Sequence, residues 1–299
     1  MRIFMTIGAV LALGALGVAS PLTFAQAPSG KVPPAKGQKK MPVAAPAVEE
    51  SDEATKEFEK FRAQMEDSNP AELFEMKGEE LWKTKRGPKN VSLAESCDLG
   101  QGVGVVKGAY VATPRYFADA DAVMDAERRI VWCMVEKQGF KFDDIAKSPF
   151  HRENDPGAPD ITSLVTYVAA HSKDMKFAVP LDDPRVRNAW ETGREITMYR
   201  AGPYDFSCNT CHGGEGKRIR MQSLPNISTN KGAIKGAQGW PGYCMTGGVM
   251  LTLQWRMNDC FRQQRFPAPK YASELVSDLL TYMIGNANGQ TYRGPGIKR

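Results

Sequence analysis

The first apolar run of the chain is short and lies near its N-terminus. Apolar residues dominate positions 7–19, Arg2 precedes them, and the run closes on Ala25-Gln26-Ala27. A basic residue, an apolar run and a small-x-small site in this order are typical of a secretory signal peptide. The alternative, an uncleaved anchor, needs about 20 apolar residues to span a bilayer. We therefore predict a signal peptide over residues 1–27 and no membrane span after its removal.

Residues 28–50 are rich in Pro, Ala and Lys and poor in large apolar side chains. A segment of this composition buries too little surface to offset its loss of conformational entropy. It predicts a linker between the signal peptide and the folded part of the chain.

Two later segments have helical periodicity, and each closes one of two similar series of landmarks. These segments begin near Asp160 and Ser273 and contain Leu-x-Thr-Tyr at 164–167 and 279–282. A tryptophan segment and an Arg-x-x-x-Cys motif precede each of them in the same order, at 81–84 and 129–133 and again at 189–192 and 256–260. The repetition predicts a mostly α protein with two homologous domains, residues 51–178 and 179–299.

Composition narrows the possible classes of function. Hydrophobic residues make up 42% and charged residues 24% of the chain, which excludes collagen, coiled coil and disorder throughout. The 39 Lys and Arg residues against 34 Asp and Glu give a net charge of +5, without the clustered basic excess of a nucleic-acid-binding protein. Six cysteines and three histidines leave few residues that can hold a metal or a cofactor.

The pentad Cys208-Asn209-Thr210-Cys211-His212 is the attachment signature of c-type haem. Its two thiols form thioether bonds to the haem vinyl groups, and His212 ligates the iron. A zinc site would need a second ligand pair, which the sequence lacks. We predict one covalently bound haem c, with the Gly-rich stretch from Lys231 to Gly248 as an irregular loop near it. An exported chain suits this cofactor, because haem c is attached outside the bacterial cytoplasm.

A degraded copy of the pentad lies upstream, in the first series of landmarks. Cys97-Asp98-Leu99-Gly100-Gln101 aligns with 208–212 and has Gly and Gln in place of the second Cys and the His. We therefore predict two tandem cytochrome c-like domains, of which the first has lost its haem. In an oxidising compartment Cys97 and Cys133 are expected to form a disulfide across the vacated site. Closing this loop of about 37 residues stabilises the fold by roughly 3–4 kcal/mol.

Cys244 and Cys260 remain, and their roles are open at this point. An exported protein with an even number of cysteines often pairs them. In the other interpretation Cys260 is the second axial ligand of the iron, as a thiolate stabilised by Arg256 one helical turn earlier. Met or His ligation is the third alternative; its candidates are Met221, Met245, Met250, Met257, His151 and His171.

These residues resemble the SoxA subunits of the SoxAX thiosulfate-oxidising cytochromes c, also described as L-cysteine S-thiosulfotransferase. The resemblance extends from about Trp82 to Tyr282. Its motifs are C-x-x-C-H-G-G at 208–214, Gly-Lys-Arg at 216–218, Trp-Pro-x-Tyr at 240–243 and Arg-x-x-x-Cys at 256–260. The sequence departs from the family pattern at Cys244, where a basic residue is expected.

The resemblance implies an activity and a set of site residues. Cys260 would ligate the haem iron, commonly as a persulfide, and Arg256 would help to bind the substrate, so both are the candidate catalytic residues. A guanidinium suits thiosulfate, because its rigid fork of donors matches oxyanions. Three further basic residues follow the haem motif: Lys217, Arg218 and Arg220. They either add to the positive potential that attracts thiosulfate or are ordinary solvated surface charges. Cys208, Cys211, His212 and Cys260 would bind the haem, with His212 and Cys260 as iron ligands.

The same resemblance implies partners and a location. Thiosulfate would be joined oxidatively to a cysteine of a SoxYZ-like carrier protein. Two electrons would pass through a small SoxX-like cytochrome c subunit to a cytochrome c acceptor, in the periplasm. Two other functions remain open: a plain periplasmic electron-transfer cytochrome c, and a thiosulfate dehydrogenase that forms tetrathionate. No nucleic-acid partner is expected.

Overall fold

Short helices and a few shorter strands make up the structure, which is a computed structural model. It describes residues 57, 60–61, 64–65, 68–146, 160–219 and 222–298. The predicted signal peptide and linker lie outside the described residues. The described residues belong to one compact unit, Ala47–Arg299.

From residue 71 on, the first half of the described chain holds five helices and a two-stranded antiparallel sheet. In chain order these are α1 (Ala71–Lys83), α2 (Leu93–Ser96), β1 (Arg115–Phe117), β2 (Ala122–Met124), α3 (Ala126–Glu136), α4 (Phe142–Ile145) and α5 (Asp160–Ala170).

The second half, within the described residues, repeats the helical pattern and adds more sheet. Its elements are α6 (Pro184–Met198), α7 (Cys208–His212), β3 (Arg218–Ile219), β4 (Gln222–Ser223), α8 (Asn230–Ala237), β5 (Gly239–Cys244), β6 (Val249–Leu251), α9 (Leu253–Gln263), α10 (Glu274–Asn286) and β7 (Pro295–Lys298). β3 pairs with β4, and β5 lies between antiparallel β6 and parallel β7. The two predicted helical segments are confirmed as α5 and α10.

Each half contains one close crossing of two helices at a glycine. A Cβ atom on Gly78 of α1 would lie 2.1 Å from the Ser163 carbonyl oxygen of α5. A Cβ atom on Gly193 of α6 would lie 2.0 Å from the Asp278 carbonyl oxygen of α10. Glycine is therefore required at both crossings, because any side chain would push the helix axes apart.

The turn after the first helix of each crossing also recurs. An antiparallel bridge joins Arg86 to Val91 in one half and Ala201 to Phe206 in the other. Gly87 and Gly202 occupy the same place in the two turns, with φ of 71° and 72°, and lie 115 residues apart (202 minus 87). A capping box follows each turn, at Ser92 and at Ser207.

These repeated turns and capping boxes align the two halves of the chain. This structural alignment differs from the sequence alignment of the two cysteine motifs. Counting from the capping serines, Leu93–Cys97 correspond to Cys208–His212, so Cys97 takes the place of His212 and not of Cys208. Counting from the N-caps Asp125 and Thr252, Arg129 and Cys133 of α3 correspond to Arg256 and Cys260 of α9. The predicted Cys97–Cys133 disulfide is confirmed, and both its cysteines are fully buried.

The prediction for residues 231–248 is wrong, because this stretch contains α8 and β5. The Thr229 side chain caps α8 by accepting a hydrogen bond from the Gly232 amide at 3.2 Å. A Cβ atom on Gly232 would lie 2.0 Å from the Asn226 carbonyl oxygen, and one on Gly242 would lie 2.5 Å from the Lys298 side chain. These glycines allow a helix and a strand to pack closely against their neighbours. Composition alone does not distinguish such glycines from those of an irregular loop.

One continuous apolar cluster holds residues of both halves, including Trp82, Leu164, Leu280 and Tyr292. The mostly α expectation is confirmed by the helical elements, while the domain boundary at 178/179 stays a prediction. Within the part of the chain that the structure describes, no helix is long and apolar enough to cross a membrane.

Candidate functional site

The short helix α7 presents the pentad thiols. The Ser207 hydroxyl accepts a hydrogen bond from the Thr210 amide at 3.2 Å, and the Thr210 hydroxyl accepts one from the Ser207 amide at 3.0 Å. This reciprocal cap fixes the first turn of a five-residue helix. Residues three apart lie on one helix face, so Cys208 and Cys211 point to the same side.

Lys217 closes the other end of α7. Its Nζ donates to the Thr210 carbonyl oxygen at 2.5 Å and to the Asn209 carbonyl oxygen at 3.4 Å. A lysine at this end also complements the negative end of the helix dipole. Arg218 is exposed on β3, and Arg220 lies outside the described residues.

His212 is oriented by a main-chain contact. Its Nδ1 donates to the Pro225 carbonyl oxygen at 2.8 Å, which leaves Nε2 as the nitrogen with a lone pair. Burial lowers the pKa of His212, and the positive charges of Arg256 and Lys217 lower it further. A neutral imidazole held through Nδ1 is the usual form of a metal-ligating histidine.

Cys260 of α9 lies beside the thiols of α7. Burial, and then the charge of Cys260, raise the pKa of Cys208 to about 11. Burial also raises the pKa of Cys260, in the same direction as the Cys211 charge and against the Arg256 charge. These effects on the pKa values show that Cys260 lies within electrostatic range of Cys208, Cys211 and Arg256.

Arg256 and its neighbours form a charged row along α9. Arg256 Nη1 donates to Asp259 Oδ2 at 3.0 Å. Arg262 donates to Oδ1 of the same carboxylate, from Nη2 at 2.7 Å and from Nε at 3.1 Å. Asp259 is buried, whereas the Arg256 side chain is 33% exposed. Two guanidinium groups share one carboxylate, so the row carries a net positive charge.

The structure describes four of the six alternative Met and His ligands and shows no Cys244–Cys260 disulfide. Cys244 and Cys260 are both thiols, so no disulfide joins them, and Cys244 Sγ lies 3.3 Å from the Thr246 hydroxyl oxygen. Met250 is buried and Met257 packs against the apolar cluster. His171 packs edge-on against Tyr167 in the first half. Met245 is half-buried beside Cys244, and Met221 and His151 fall among the residues that are not described.

The donor set fits a covalently bound haem. It comprises two thiols on one face of a capped helix, an imidazole oriented through Nδ1, and a third sulfur from another helix, which is the chemistry that haem c attachment and axial ligation require. Among the described residues no group of three or more His, Cys, Asp or Glu side chains is gathered closely enough to hold a metal ion directly.

Three positioning contacts were not anticipated from the sequence. The Ser207–Thr210 cap has a visible signal, since Ser-x-x-Thr with a polar fourth residue resembles a capping box. Asp259 stands three residues after Arg256, a spacing at which helix side chains meet. The Pro225 carbonyl has no sequence signal, because its contact with His212 depends on the path of the intervening loop.

The chain is similar in sequence to known proteins. A relative from Hydrogenophilus thermoluteolus, named L-cysteine S-thiosulfotransferase subunit SoxA, is 44% identical over 252 residues, which cover 84% of this chain and 91% of the relative. The chain belongs to the SoxA family. A second SoxA, from Hydrogenobacter thermophilus, is 33% identical and covers 77% of this chain and 82% of its own length.

Two further comparisons concern the fold of this SoxA chain. The crystal structure of SoxXA from P. pantotrophus matches with a TM-score of 0.63 at 24% identity, covering 80% of this chain and 84% of that one. The family described as SoxA/TsdA, cytochrome c domain, matches residues 77–177. This matched range contains the Cys97–Cys133 disulfide and lies wholly before the C-x-x-C-H pentad of the SoxA chain.

Proposed function

We propose that this chain is the haem c subunit of an enzyme that joins thiosulfate oxidatively to a cysteine of a SoxYZ-like sulfur carrier protein. The name of its relatives, L-cysteine S-thiosulfotransferase subunit SoxA, supports this class of reaction. The carrier thiol and thiosulfate form one new S–S bond, the thiol proton goes to solvent, and two electrons leave. In symbols, Cys–SH and S₂O₃²⁻ give Cys–S–S–SO₃⁻, H⁺ and two electrons.

The observation that carries the proposal is that Cys260 of α9 lies within electrostatic range of the thiols of α7. Cys208, Cys211 and His212 of α7 would hold one haem c, and Cys260 of α9 would provide a second protein ligand to its iron. When bound, haem c supplies one-electron redox chemistry. Cys260 would then serve both as an iron ligand and as the sulfur nucleophile of the site.

Arg256 is the proposed anion-binding residue. It lies one helical turn before Cys260, its side chain is partly exposed, and the row to which it belongs carries a net positive charge. Thiosulfate is a dianion, and a guanidinium binds its oxygens by charge-assisted hydrogen bonds. Arg256 thus holds the substrate near Cys260 and lowers the cost of bringing a dianion into a partly buried site.

The first half is proposed to be a cytochrome c-like domain that has lost its haem. Its disulfide joins the position that corresponds to His212 with the position that corresponds to Cys260, the two proposed iron ligands. The match of a cytochrome c domain family to residues 77–177 supports a cytochrome c-like origin of this half. One haem per chain, and the boundary between domains 51–178 and 179–299, follow from this proposal.

The partners belong to the same proposal. The fold similarity to the SoxXA crystal structure supports a small SoxX-like cytochrome c subunit, which would receive the electrons and pass them to a cytochrome c acceptor. The predicted signal peptide and the covalent haem support a periplasmic location.

The test uses the exported holoprotein with its cytochrome subunit and a carrier protein. Replacing Cys260 by Ala is expected to abolish thiosulfate-dependent reduction of cytochrome c and the mass increase of the carrier. Cys244→Ala is the matched control, because it removes another half-buried thiol and is expected to keep turnover. Full turnover of Cys260→Ala contradicts the proposal.

Product analysis separates the other two functions. Tetrathionate formed without the carrier protein identifies a thiosulfate dehydrogenase. A reversible haem reduction that thiosulfate does not drive, together with Met ligation in the optical spectrum, identifies a plain electron carrier. Peptide mass mapping without reduction checks that haem sits on Cys208 and Cys211 and that Cys260 is unbridged.

A further inference from the structure

Asp259 is the most buried charged group of α9, with 4% of its surface exposed. It lies between Arg256 and Cys260, and none of the sequence motifs includes it as a specified residue. Burying a carboxylate is costly unless donors compensate its charge. The structure meets this requirement with three side chains of the same helix.

Each carboxylate oxygen of Asp259 accepts two hydrogen bonds. Arg262 gives Oδ1 two hydrogen bonds, and Gln263 Nε2 donates to Oδ2 at 2.6 Å. Arg256 adds one bond to Oδ2, from Nη1 at 3.0 Å. Among the described residues this is the hydrogen bond recorded for the Arg256 guanidinium, which has five N–H donors in all. Asp259 therefore fixes Arg256 at one point and leaves the rest of its fork available.

The corresponding arginine of the first half is held quite differently. Arg129 gives Asp119 two hydrogen bonds, at 2.8 and 2.9 Å, and gives the Asp98 carbonyl oxygen a third at 2.8 Å. Its guanidinium lies over the Phe117 and Trp132 rings, and its side chain is 1% exposed. Arg129 has no accessible donors left for an anion.

The register of the two helices makes the contrast specific. Trp132 of α3 stands at the position that Asp259 occupies in α9, counted from the N-caps. The half with the haem pentad thus has a carboxylate where the other half has an aromatic ring. In the first half the Trp132 ring covers the Arg129 guanidinium. In the second half the Asp259 carboxylate binds Arg256 and leaves its guanidinium partly exposed.

We propose that Asp259 is a positioning residue that holds the Arg256 guanidinium toward the sulfur of Cys260 for binding the oxyanion end of thiosulfate. The proposal rests on the proposed function. Arg262 and Gln263 keep the Asp259 carboxylate in place, so that its one-point contact sets the direction of Arg256.

The sign of the effect of Asp259→Asn distinguishes positioning from simple charge. If Asp259 acted only as a negative charge near an anion site, its removal would improve thiosulfate binding. Positioning predicts the reverse. The kcat/KM for thiosulfate falls by about tenfold or more, as expected for weakening a charge-assisted hydrogen bond. Asp205→Asn is the matched control, because it also removes an arginine-paired carboxylate and adds the same charge, but on the exposed surface.

A double-mutant cycle tests whether Asp259 acts through Arg256. In the Arg256→Gln background, Asp259→Asn is expected to change kcat/KM by less than about twofold, because the group it positions is gone. An equal loss in both backgrounds overturns the proposal, as does a gain in kcat/KM for Asp259→Asn alone.

Folding is controlled by a second variant and a second measurement. Asp259→Glu keeps the charge and shifts the carboxylate by one methylene group, so it is expected to lower kcat/KM while its thermal midpoint stays close to that of the wild type. If Asp259→Glu is fully active, positioning by this carboxylate is wrong while the proposed function stands. If the wild-type complex itself shows no thiosulfate-dependent turnover, the proposed function fails and this inference with it.

Discussion

Arg129 and Arg256 are the same residue type at corresponding positions, yet their surroundings give them different tasks. Arg129 is sealed between two rings and bound to Asp119 at both oxygens, and this contact holds the pKa of the Asp119 carboxyl below its usual range. Arg256 is partly exposed and makes a single contact with Asp259. Two properties of the guanidinium therefore distinguish a structural arginine from one that can bind an anion: its exposed fraction and the number of its N–H donors that are already hydrogen-bonded.

This difference predicts opposite consequences for one substitution. Arg129→Gln is expected to destabilise the fold by about 1–3 kcal/mol, because it leaves the Asp98 carbonyl oxygen without its donor. It also breaks the pair between the buried guanidinium and the partly exposed Asp119 carboxylate. Arg256→Gln is expected to cost less than about 1 kcal/mol of stability while removing most thiosulfate turnover. Urea unfolding of both variants, followed by circular dichroism, gives the comparison. Similar losses of stability would show that Arg256 is as structural as Arg129.

At the scale of elements, the two glycine crossings are the clearest repeated feature of the fold. Gly78→Ala and Gly193→Ala are each expected to destabilise the protein by roughly 1–3 kcal/mol, because each Cβ meets a main-chain carbonyl that cannot rotate away. Gly236→Ala in α8 is the control. Its Cβ would meet the Met283 sulfur at 3.4 Å, an ordinary contact, so helix propensity predicts a gain of up to about 1 kcal/mol.

Thermal unfolding of the three glycine variants checks this prediction. Two crossings that tolerate alanine as well as Gly236 does would show that the helices have room to separate. A loss at one crossing alone would show that the two halves differ in packing despite their shared register.

The sequence was sufficient to predict those helices that carry several recognisable motifs. The helices at Asp160 and Ser273 were predicted from periodicity and begin as expected, and the Arg-x-x-x-Cys motifs fall at corresponding places of α3 and α9. The disulfide followed from the chemistry of an exported chain. Of the candidate site, Cys260 lies within electrostatic range of Cys208 and Cys211, and its role as an iron ligand stays a prediction.

The register of the upstream cysteine could not be predicted in the same way. Matching Cys97 with Cys208 is natural when only residue identity is compared, but the turns and capping boxes place Cys97 with His212. The tryptophans mislead similarly. Trp82 follows its crossing glycine and Trp190 precedes its own, yet they pack against the corresponding tyrosines Tyr167 and Tyr282. A packing role can persist while the residue that fills it moves along the helix.

At the scale of the whole molecule, a buried polar cluster joins the two halves. Asp125 caps α3 and accepts hydrogen bonds from Gln254 of α9 and from Ser277 of α10. Glu127 of α3 accepts one from Tyr271 at 2.7 Å. Both carboxyl groups are at most 5% exposed. The groups that face Glu127 are thus a second carboxyl and neutral hydroxyl and amide groups, with no cation among the described neighbours named for it.

The proton on Glu127 therefore links stability to pH. Burial, and then the Asp125 charge, raise the pKa of Glu127 to about 8 from 4.5. An acid with a higher pKa in the folded than in the unfolded state binds more protons when folded between those values. Its stabilising contribution is fully present below about pH 4.5 and is lost as the pH rises toward 8, by at most about 1.4 kcal/mol per pH unit. Asp278, whose pKa is raised to about 7 by burial and by Glu274, acts in the same direction.

Glu127→Gln should remove part of this dependence, since an amide keeps the acceptor for Tyr271 and does not titrate in this range. We expect the variant to lie close to the wild type at pH 5 and to gain on it steadily up to pH 8, when the free energy of unfolding is measured in urea at each pH. Asp278→Asn removes only the contribution of Asp278, which ends near pH 7. Asp205→Asn, at an exposed carboxylate, leaves the pH dependence unchanged. Wild-type and Glu127→Gln curves that run parallel would mean that Glu127 is ionised in the folded protein. The ionised carboxylate would then be stabilised by the hydrogen bonds that Glu127 receives from Tyr271, Thr252 and the Gln254 main chain.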